Sequence, residues 1–340
     1  MIRGWCPSLY DPMATGDGLL VRVKPRAARL TSAGLCALAD AAARFGNGVV
    51  ELTRRGNLQV RGLSPDGVAG FAAAMVAAGL ADPDPTVERR RIVIPPPLAG
   101  DDPDVSADAM TLADAIEARV PPGLPPKFCI AIDGGGILAG APAADIVVRV
   151  PPGEAVDGAM QAAVGRPRAK VQPARPPATA VGFIPYPDDH GAFGMGLPFG
   201  QTDPAGLRLL AALADRFGGG AIRISPWRSV LLGRVAARDL PAIRAMAAAL
   251  VLDPADPRLR VSSCIGSPCC GSATVPARMD AVRLAALGAT AIHVSGCAKG
   301  CAHPGGAALV GDNGRYSRVE NWRAGTAPEP QGLTLEQAAA

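Results

Sequence analysis

Aromatic residues are scarce in this chain of 340 residues, at 4%, and histidine occurs only three times. The apolar content is nevertheless 49%, so the core has to be built from alanine, glycine and aliphatic side chains rather than from rings. Three histidines in such different contexts do not suit a three-histidine iron centre. No Ser-His-Asp constellation, P-loop or dinucleotide-binding glycine fingerprint occurs, which leaves no recognisable site for NADH.

Long apolar runs and a strong net charge are also missing. The longest apolar run, Ala245 to Leu252, is far shorter than the roughly 20 residues that span a bilayer. The first residues lack the apolar stretch of a signal peptide. A net charge of +4 is too small to indicate a nucleic-acid partner, and eight cysteines do not reach the density of a disulfide-stapled secreted module. We therefore expect a cytoplasmic protein with reduced thiols.

Four cysteines near the C-terminal end form the most informative pattern. Five residues separate Cys264 from Cys270, and three separate Cys297 from Cys301, which ends a turn opened by Gly296. Four converging thiolates indicate zinc or an iron–sulfur cluster. Zinc sites favour gaps of two to four residues within a pair, so the spacing favours a [4Fe–4S] cluster. The remaining alternative is a set of small buried side chains, which such close clustering makes a poor explanation.

An internal repeat organises the chain. Arg44–Gly48 recurs as Arg216–Gly220, and each copy follows an Ala/Leu-rich stretch with helical spacing and precedes a short apolar strand. Gly46 and Gly218 are expected to cap the two helices. Each unit is therefore predicted to read strand–helix–strand–strand–helix, as in a ferredoxin-like sheet.

A fainter repeat relates Val93–Ile132 to Val261–Val294, and only the second copy carries the cysteines. The alternative is two unrelated αβ segments. The predicted fold is α+β, with duplicated ferredoxin-like half-domains and two αβ domains, the second of which holds the cluster. Pro- and charge-rich stretches at Asp82–Arg91 and Gly165–Pro177 are predicted to be linkers. The predicted domain bounds are 1–80, 86–165, 185–252 and 256–330.

Basic residues gather in the first half of the chain. Alternation along the strand after Asn57 places Gln59 and Arg61 on one face, and Arg55 at the preceding corner can join them to line a cleft. Arginine suits carboxylate recognition because its planar fork matches two oxygens. In the second repeat, Arg228 lies at the matching corner. Arg89–Arg91 and Lys127 add further cations, and for Arg89 and Arg90 a solvated surface is the favoured interpretation.

These motifs together resemble the sulfite/nitrite reductase superfamily over nearly the whole chain. The cysteine spacing carries the most specific part of the resemblance. Three further segments look like family motifs: Arg54–Gly62, Pro97–Gly100 and Leu124–Phe128. Within the superfamily, Thr15–Val23 and Ser225–Arg228 look most like the branch that acts on precorrin-3A in aerobic cobalamin biosynthesis.

The resemblance implies a set of roles. It assigns the [4Fe–4S] ligands to Cys264, Cys270, Cys297 and Cys301, and catalytic positions to Arg55, Arg91 and Lys127. The substrate would be the polycarboxylate macrocycle precorrin-3A, bound by Arg55, Gln59, Arg61 and Arg228. The reaction would be an oxygen-dependent hydroxylation with γ-lactone formation, giving precorrin-3B. NADH would supply electrons indirectly through a donor protein, and a second iron, non-haem or of the sirohaem type, would activate O2.

Departures from the superfamily pattern bear on the alternatives. Cys129 stands where the reductases resemble one another in having a second lysine, which weakens the case for binding a small dianion. Cys269 replaces a glycine beside Cys270, so either could be the ligand. His303 follows the last cysteine pair closely enough to act as a donor or a ligand. The alternatives are a sirohaem-dependent sulfite or nitrite reductase and a zinc-stabilised tetrapyrrole-binding protein without redox activity.

Overall fold

A computed structural model describes residues 7–125, 127–138, 140, 142–150, 161, 164, 180–289, 291–303 and 305–339. The chain divides into two compact units. The larger consists mainly of Leu19–Pro254, and the smaller consists of Ala255–Ala340 together with Ala14–Gly18. The predicted linker at Gly165–Pro177 lies outside the described residues. The predicted division into four domains remains a prediction.

The first repeat has the predicted order of elements. After β1 (Met13–Thr15), its strands and helices are β2 (Gly18–Val23), β3 (Arg29–Thr31), α1 (Ser32–Phe45), β4 (Val50–Leu52), β5 (Leu58–Leu63) and α2 (Gly67–Ala77). Helix α1 begins where the Thr31 hydroxyl accepts a hydrogen bond from the Gly34 N–H at 3.1 Å. Leu35, Leu38 and Ala42 recur on one side of the helix and are fully buried.

The first αβ segment follows in the same unit. It contains α3 (Pro85–Arg89), β6 (Val93–Ile94), α4 (Asp108–Ala118), β7 (Ile130–Asp133) and β8 (Ile146–Arg149). The three strands are parallel, in the order β6-β7-β8. Because parallel neighbours need a crossover connection, α4 lies between β6 and β7 in sequence.

The second repeat follows the same plan. Its elements are β9 (Gly182–Pro185), β10 (His190–Gly196), β11 (Gln201–Thr202), α5 (Pro204–Phe217), β12 (Ala221–Ile224), β13 (Ser229–Ala236) and α6 (Leu240–Met246). Asp203 caps α5 by accepting from the Gly206 N–H at 2.8 Å. Strand β10 forms an antiparallel hairpin with β9.

The two repeats exchange short strands. Strand β11 of the second repeat pairs with β4 of the first, and β3 of the first repeat pairs with β12 of the second. One sheet therefore has β2, β5, β4 and β11 side by side, and the other has the order β3-β12-β13-β10-β9. Helices α1 and α5 pack against each other, and one apolar core spans both repeats. The exchange ties the half-domains into one body.

The smaller unit is a second αβ segment with an added hairpin. Its elements are β14 (Val261–Ser263), α7 (Ala277–Ala286), β15 (Ile292–Ser295), β16 (Ala308–Asp312), β17 (Arg315–Val319) and α8 (Leu335–Ala339). Strands β14, β15 and β16 are parallel, and β17 runs antiparallel to β16. The arrangement of strand, helix and parallel strand is the one found in the first αβ segment, as the fainter repeat predicts.

One local prediction needs correction, and the predicted helix caps are confirmed with a different backbone conformation from the one typical of glycine caps. Asp82–Arg91 is not a plain linker, because it contains α3 and buries Glu88, which is 1% exposed. Gly46 and Gly218 do cap α1 and α5, but both have negative φ angles rather than the left-handed conformation. Glycine is needed there for space, since a Cβ on Gly46 would lie 2.7 Å from the Arg61 carbonyl oxygen. Within the described ranges, none of the helices is long and apolar enough to cross a membrane.

Candidate functional site

A row of polar side chains crosses one face of the first sheet. The strand register aligns Arg22 on β2 with Gln59 on β5, Gln59 with Glu51 on β4, and Glu51 with Gln201 on β11. The Arg22 guanidinium donates to the Gln59 side-chain oxygen, and the Gln201 amide donates to the Glu51 carboxylate. The opposite face carries buried apolar residues such as Val60. The alternation predicted for this strand is therefore the one observed.

Glu51 is the centre of this row. Its carboxylate accepts from Gln59 Nε2 at 3.1 Å and from Arg61 Nη1 at 3.3 Å. The Arg61 and Glu51 side chains are only 12% and 17% exposed, so this ion pair is largely shielded from water. A partly buried carboxylate that accepts several charge-assisted hydrogen bonds fixes its donors in place. Glu51 thus joins two predicted substrate-binding residues, Gln59 and Arg61, to the second repeat.

The corner turns of the two repeats share three hydrogen bonds. The Thr53 N–H donates to the Asn57 carbonyl at 2.8 Å, and the Ser225 N–H donates to the Ser229 carbonyl at 2.9 Å. The Thr53 and Ser225 hydroxyls each accept from two N–H groups of their own turn. The turns therefore superpose residue by residue, and Arg228 occupies the position that Gly56 has in the first repeat.

That position has left-handed backbone angles in both turns, with φ of 65° at Gly56 and 62° at Arg228. Glycine adopts this conformation freely, whereas another residue pays about 1 kcal/mol or more. The half-buried Arg228 guanidinium interacts electrostatically with Arg54 and Glu51. Arg228 therefore lies near the polar face that is centred on Glu51. Burial lowers its pKa, the charge of Arg54 lowers it further, and Glu51 opposes both effects.

Arg55 links the first corner to the first αβ segment. Its Nη2 donates to the backbone carbonyl of Lys127 at 2.6 Å, so these two predicted catalytic residues lie together. Lys127 is exposed, whereas Cys129 is buried in a small apolar cluster and its N–H donates to Asp145 at 2.8 Å. The position where the reductases have a second lysine therefore faces the interior and offers no cation.

Arg91 makes contacts of a structural kind. Its Nη1 donates to the carbonyls of Lys24 and Leu80, at 3.0 and 3.4 Å, and its Nε lies 3.4 Å from the buried Glu88 carboxylate. Neither Arg55 nor Lys127 is among these contacts. The catalytic role assigned to Arg91 stays a prediction, and its observed partners are backbone and core groups.

The four candidate cluster cysteines lie close enough in the smaller unit to influence one another. Burial raises the pKa of Cys264, and the thiols of Cys297 and Cys270 raise it further. Burial also raises the pKa of Cys301, again with contributions from Cys297 and Cys270. Cys269 is exposed and is not among the groups that act on either thiol, which favours Cys270 as the ligand.

Two glycines allow the backbone to approach the sulfurs. The Gly296 N–H donates to the Cys264 sulfur at 3.1 Å, the kind of hydrogen bond that tunes cluster thiolates. A Cβ on Gly16 would lie 2.8 Å from the sulfur of Cys270, so only glycine fits against that thiol. These donors and this chemistry fit an iron–sulfur cluster.

A single metal ion fits the described residues less well. No three His, Cys, Asp or Glu side chains in the described ranges are arranged to hold one ion. Four thiolates on one zinc, with bonds of about 2.3 Å, would have to stand within about 4 Å of one another. Thiolates on a [4Fe–4S] cluster bind separate irons and stand further apart. The same finding leaves a protein-bound non-haem iron without a visible ligand set in this part of the chain.

The two histidines near the cysteines have different contacts. His293 Nδ1 lies 2.9 Å from the Ser262 hydroxyl, as expected for a core histidine. His303 Nε2 lies 3.0 Å from the Trp322 carbonyl oxygen, and its ring is 4.9 Å from that indole. The backbone contact orients His303 but makes no direct link to a thiol.

Sequence reasoning missed several residues of the polar face. Glu51, Arg22 and Gln201 belong to it through cross-strand pairing, and Arg54 through its charge. Alternation along β4 could have indicated Glu51, because Val50 and Leu52 flank it and are buried. No local signal identifies Gln201, whose partner strand lies 150 residues away.

Comparison with known proteins agrees with this architecture. The profile of the nitrite/sulfite reductase ferredoxin-like half domain matches residues 11–78 and 184–250, one match in each repeat. The NirA protein of Mycobacterium tuberculosis has a similar structure, with a TM-score of 0.65, 18% identity, and coverage of 88% of this chain and 73% of that one. At this identity the likeness shows the fold alone.

A closer relative comes from the curated sequences. The precorrin-3B synthase of a Sinorhizobium species is 34% identical over an alignment that covers 96% of this chain and 85% of the relative. Both repeats, the first αβ segment and the cysteine-bearing unit fall within such an alignment. The chain therefore belongs to the precorrin-3B synthase family and contains two ferredoxin-like half domains of the nitrite/sulfite reductase type.

Proposed function

We propose that the chain hydroxylates precorrin-3A with oxygen and closes a γ-lactone, giving precorrin-3B in cobalamin biosynthesis. The observation that carries the proposal is the 34% identity to a precorrin-3B synthase over nearly the whole chain. The chemistry of the polar face supports it independently of that similarity.

The polar face suits a ligand with many carboxylates. Arg61 pairs with the Glu51 carboxylate, Arg22 donates to the neighbouring Gln59, and Arg228 interacts electrostatically with both Glu51 and Arg54. Four guanidinium groups in this region thus accompany the one carboxylate of Glu51. Such an excess of positive charge in a partly shielded region attracts a polyanion. In the proposed complex, Arg61 and Gln59 bind carboxylates of the macrocycle from positions held by Glu51. Arg55, at the first corner, orients the ring edge next to Lys127.

The cofactors form the second part of the proposal. Cys264, Cys270, Cys297 and Cys301 hold a [4Fe–4S] cluster, which supplies single-electron transfer when bound. The electrons originate from NADH and arrive through a donor protein. One atom of O2 enters the product and the other leaves as water. Of the two kinds of second iron that the resemblance implies, we propose non-haem iron, because sirohaem and the macrocyclic substrate would compete for one pocket. Its ligands would lie outside the described residues.

The test is aerobic incubation of the reduced holoprotein with precorrin-3A, followed by mass spectrometry. We expect a product that gains one oxygen atom, derived from labelled O2, and none under argon. The matched control is the Cys297→Ser protein, which should not turn over. Oxidation of reduced viologen by sulfite or nitrite, with precorrin-3A unchanged, would overturn the proposal in favour of a sirohaem-dependent reductase.

A further inference from the structure

Arg228 has an unusual backbone conformation for an arginine. Its φ of 62° is in the left-handed region, and the equivalent residue of the first repeat, with φ of 65°, is Gly56. The three hydrogen bonds that the two turns share form with glycine at this position in the first repeat, so the turn itself does not require arginine. A strained non-glycine residue persists where it is over-determined by its surroundings, often at a functional site.

The surroundings of Arg228 do not satisfy its side chain. In the part of the chain that the structure describes, the buried Nε of Arg228 has no hydrogen-bond partner. Its electrostatic neighbours are Arg54, which repels it, and Glu51, whose carboxylate already accepts from Gln59, Arg61 and Gln201. A buried guanidinium donor is costly to leave unpaired. These observations indicate that a negatively charged group completes the contact.

The fold makes room for this side chain in a specific way. Gly200 lies under the arginine stem, where a Cβ would come within 3.1 Å of Arg228 Cδ. In the first repeat the small and large positions are reversed: a Cβ on Gly56 would lie 3.6 Å from that of Ala28. The second repeat therefore has a glycine, Gly200, beside its arginine, whereas the first repeat has an alanine, Ala28, beside its glycine. The packing supports the side chain as well as the backbone.

We propose that Arg228 and Arg54 form a carboxylate-binding site, at which a carboxylate of the tetrapyrrole substrate pairs with both guanidinium groups. This inference rests on the proposed function, because it takes the macrocycle as the source of the carboxylate. One anion that binds between two arginines compensates the repulsion that their positive charges exert on each other in its absence. Arg54 is exposed, so a ligand can reach the pair from solvent.

Replacing Arg228 by glycine, the residue at the equivalent position of the first repeat, distinguishes an effect on ligand binding from an effect on folding stability. The experiment uses the anaerobically purified full chain with sirohydrochlorin, a polycarboxylate tetrapyrrole, and follows protein fluorescence. We expect Arg228→Gly to raise the Kd for sirohydrochlorin about tenfold or more, the factor for one charge-assisted hydrogen bond. Its thermal midpoint should equal or exceed that of the wild type, by up to about 2 °C, because the strain is released.

Arg234→Gly is the matched control. Arg234 also has a positive φ, 48°, but its exposed guanidinium pairs with Asp188 on the surface. That variant should keep the wild-type Kd. Arg54→Ala should weaken binding as Arg228→Gly does, and the double variant should lose less than the sum of the two, because both act on one carboxylate.

The outcomes distinguish this site from the proposed function. An unchanged Kd in Arg228→Gly, while the wild type binds sirohydrochlorin, would overturn the site and leave the proposed function standing. A lower thermal midpoint together with weaker binding would assign Arg228 a structural role and overturn the inference. Citrate tests the source of the carboxylate. If citrate protects the wild type against thermal unfolding while sirohydrochlorin shows no binding that depends on Arg228, the macrocycle is overturned as the ligand. Failure of the wild type to bind sirohydrochlorin would count against the proposed function itself.

Discussion

Glu117 makes the stability of this protein depend on pH. It is half-buried in the last turn of α4, where its pKa is raised from the ordinary 4.5 to about 7. Burial is the main cause, the charge of Asp114 adds to it, and Arg91 opposes it. The Val93 backbone N–H also opposes it through a hydrogen bond to the carboxyl. Near neutral pH, folding therefore forces an acid that would be ionised in water to remain partly protonated.

The sign and size of the effect follow from proton linkage. Between pH 4.5 and about 7 the folded chain holds more protons at Glu117 than the unfolded chain, so the free energy of unfolding falls as pH rises through this window. The loss is complete about one pH unit above the folded-state pKa of about 7. At about 1.4 kcal/mol per pKa unit, the difference from 4.5 to about 7 sets an upper limit of about 3 kcal/mol. Glu117→Gln removes the charge and keeps an acceptor for the Val93 N–H.

We therefore expect Glu117→Gln to be more stable than the wild type by about 1–3 kcal/mol at pH 8, and nearly equal to it at pH 5. Urea unfolding followed by circular dichroism at the two pH values measures both differences. Asp40→Asn is the matched control, because that carboxylate is 71% exposed and should change stability little at either pH. A variant that is no more stable than the wild type at pH 8 would refute the reasoning.

Three further substitutions test the assigned roles. Arg91→Ala should destabilise the chain by up to about 3 kcal/mol, because the buried Glu88 carboxylate loses its ion pair and keeps only the Asp82 N–H and the charge of Lys24; wild-type stability with lost turnover would instead support the catalytic role. Arg55→Ala should weaken sirohydrochlorin binding about tenfold, and an unchanged Kd would remove it from the site. Cys297→Ser should abolish the cluster, so a variant that keeps its brown colour and full iron content would contradict the ligand assignment.

The repeat and its elements could be predicted because their signals are local. Helical spacing, a glycine after each helix and the following apolar strand occur within about 25 residues. The exchange of β3 and β11 could not be predicted in this way. Strands of two and three residues carry no periodicity, and Gln201 pairs with Glu51 at a sequence separation of 150 residues. Tertiary pairing alone decides where such strands go.

The site shows the same division. Alternation correctly placed Gln59 and Arg61 on one face, because a strand has a fixed period of two. It did not reveal that Glu51 holds them, since the carboxylate lies on a neighbouring strand. Asp82–Arg91 was wrongly predicted to be a linker because its composition is polar, whereas Arg91 compensates the buried charge of Glu88. The composition of a segment shows that it is charged, but not which residues its charged side chains pair with in the folded chain.

One measurement tests most directly the claim that the four cysteines hold a cluster and that the macrocycle is a substrate. It is the visible spectrum of the anaerobically purified chain, with iron and acid-labile sulfide counted on the same sample. We expect about four sulfides per chain, about four irons from the cluster with about one more where the second iron is retained, and a broad band near ~400 nm without sharp bands toward the red. Zinc without sulfide would contradict the cluster, and strong additional red bands would mean a resident sirohaem and contradict the macrocycle as substrate.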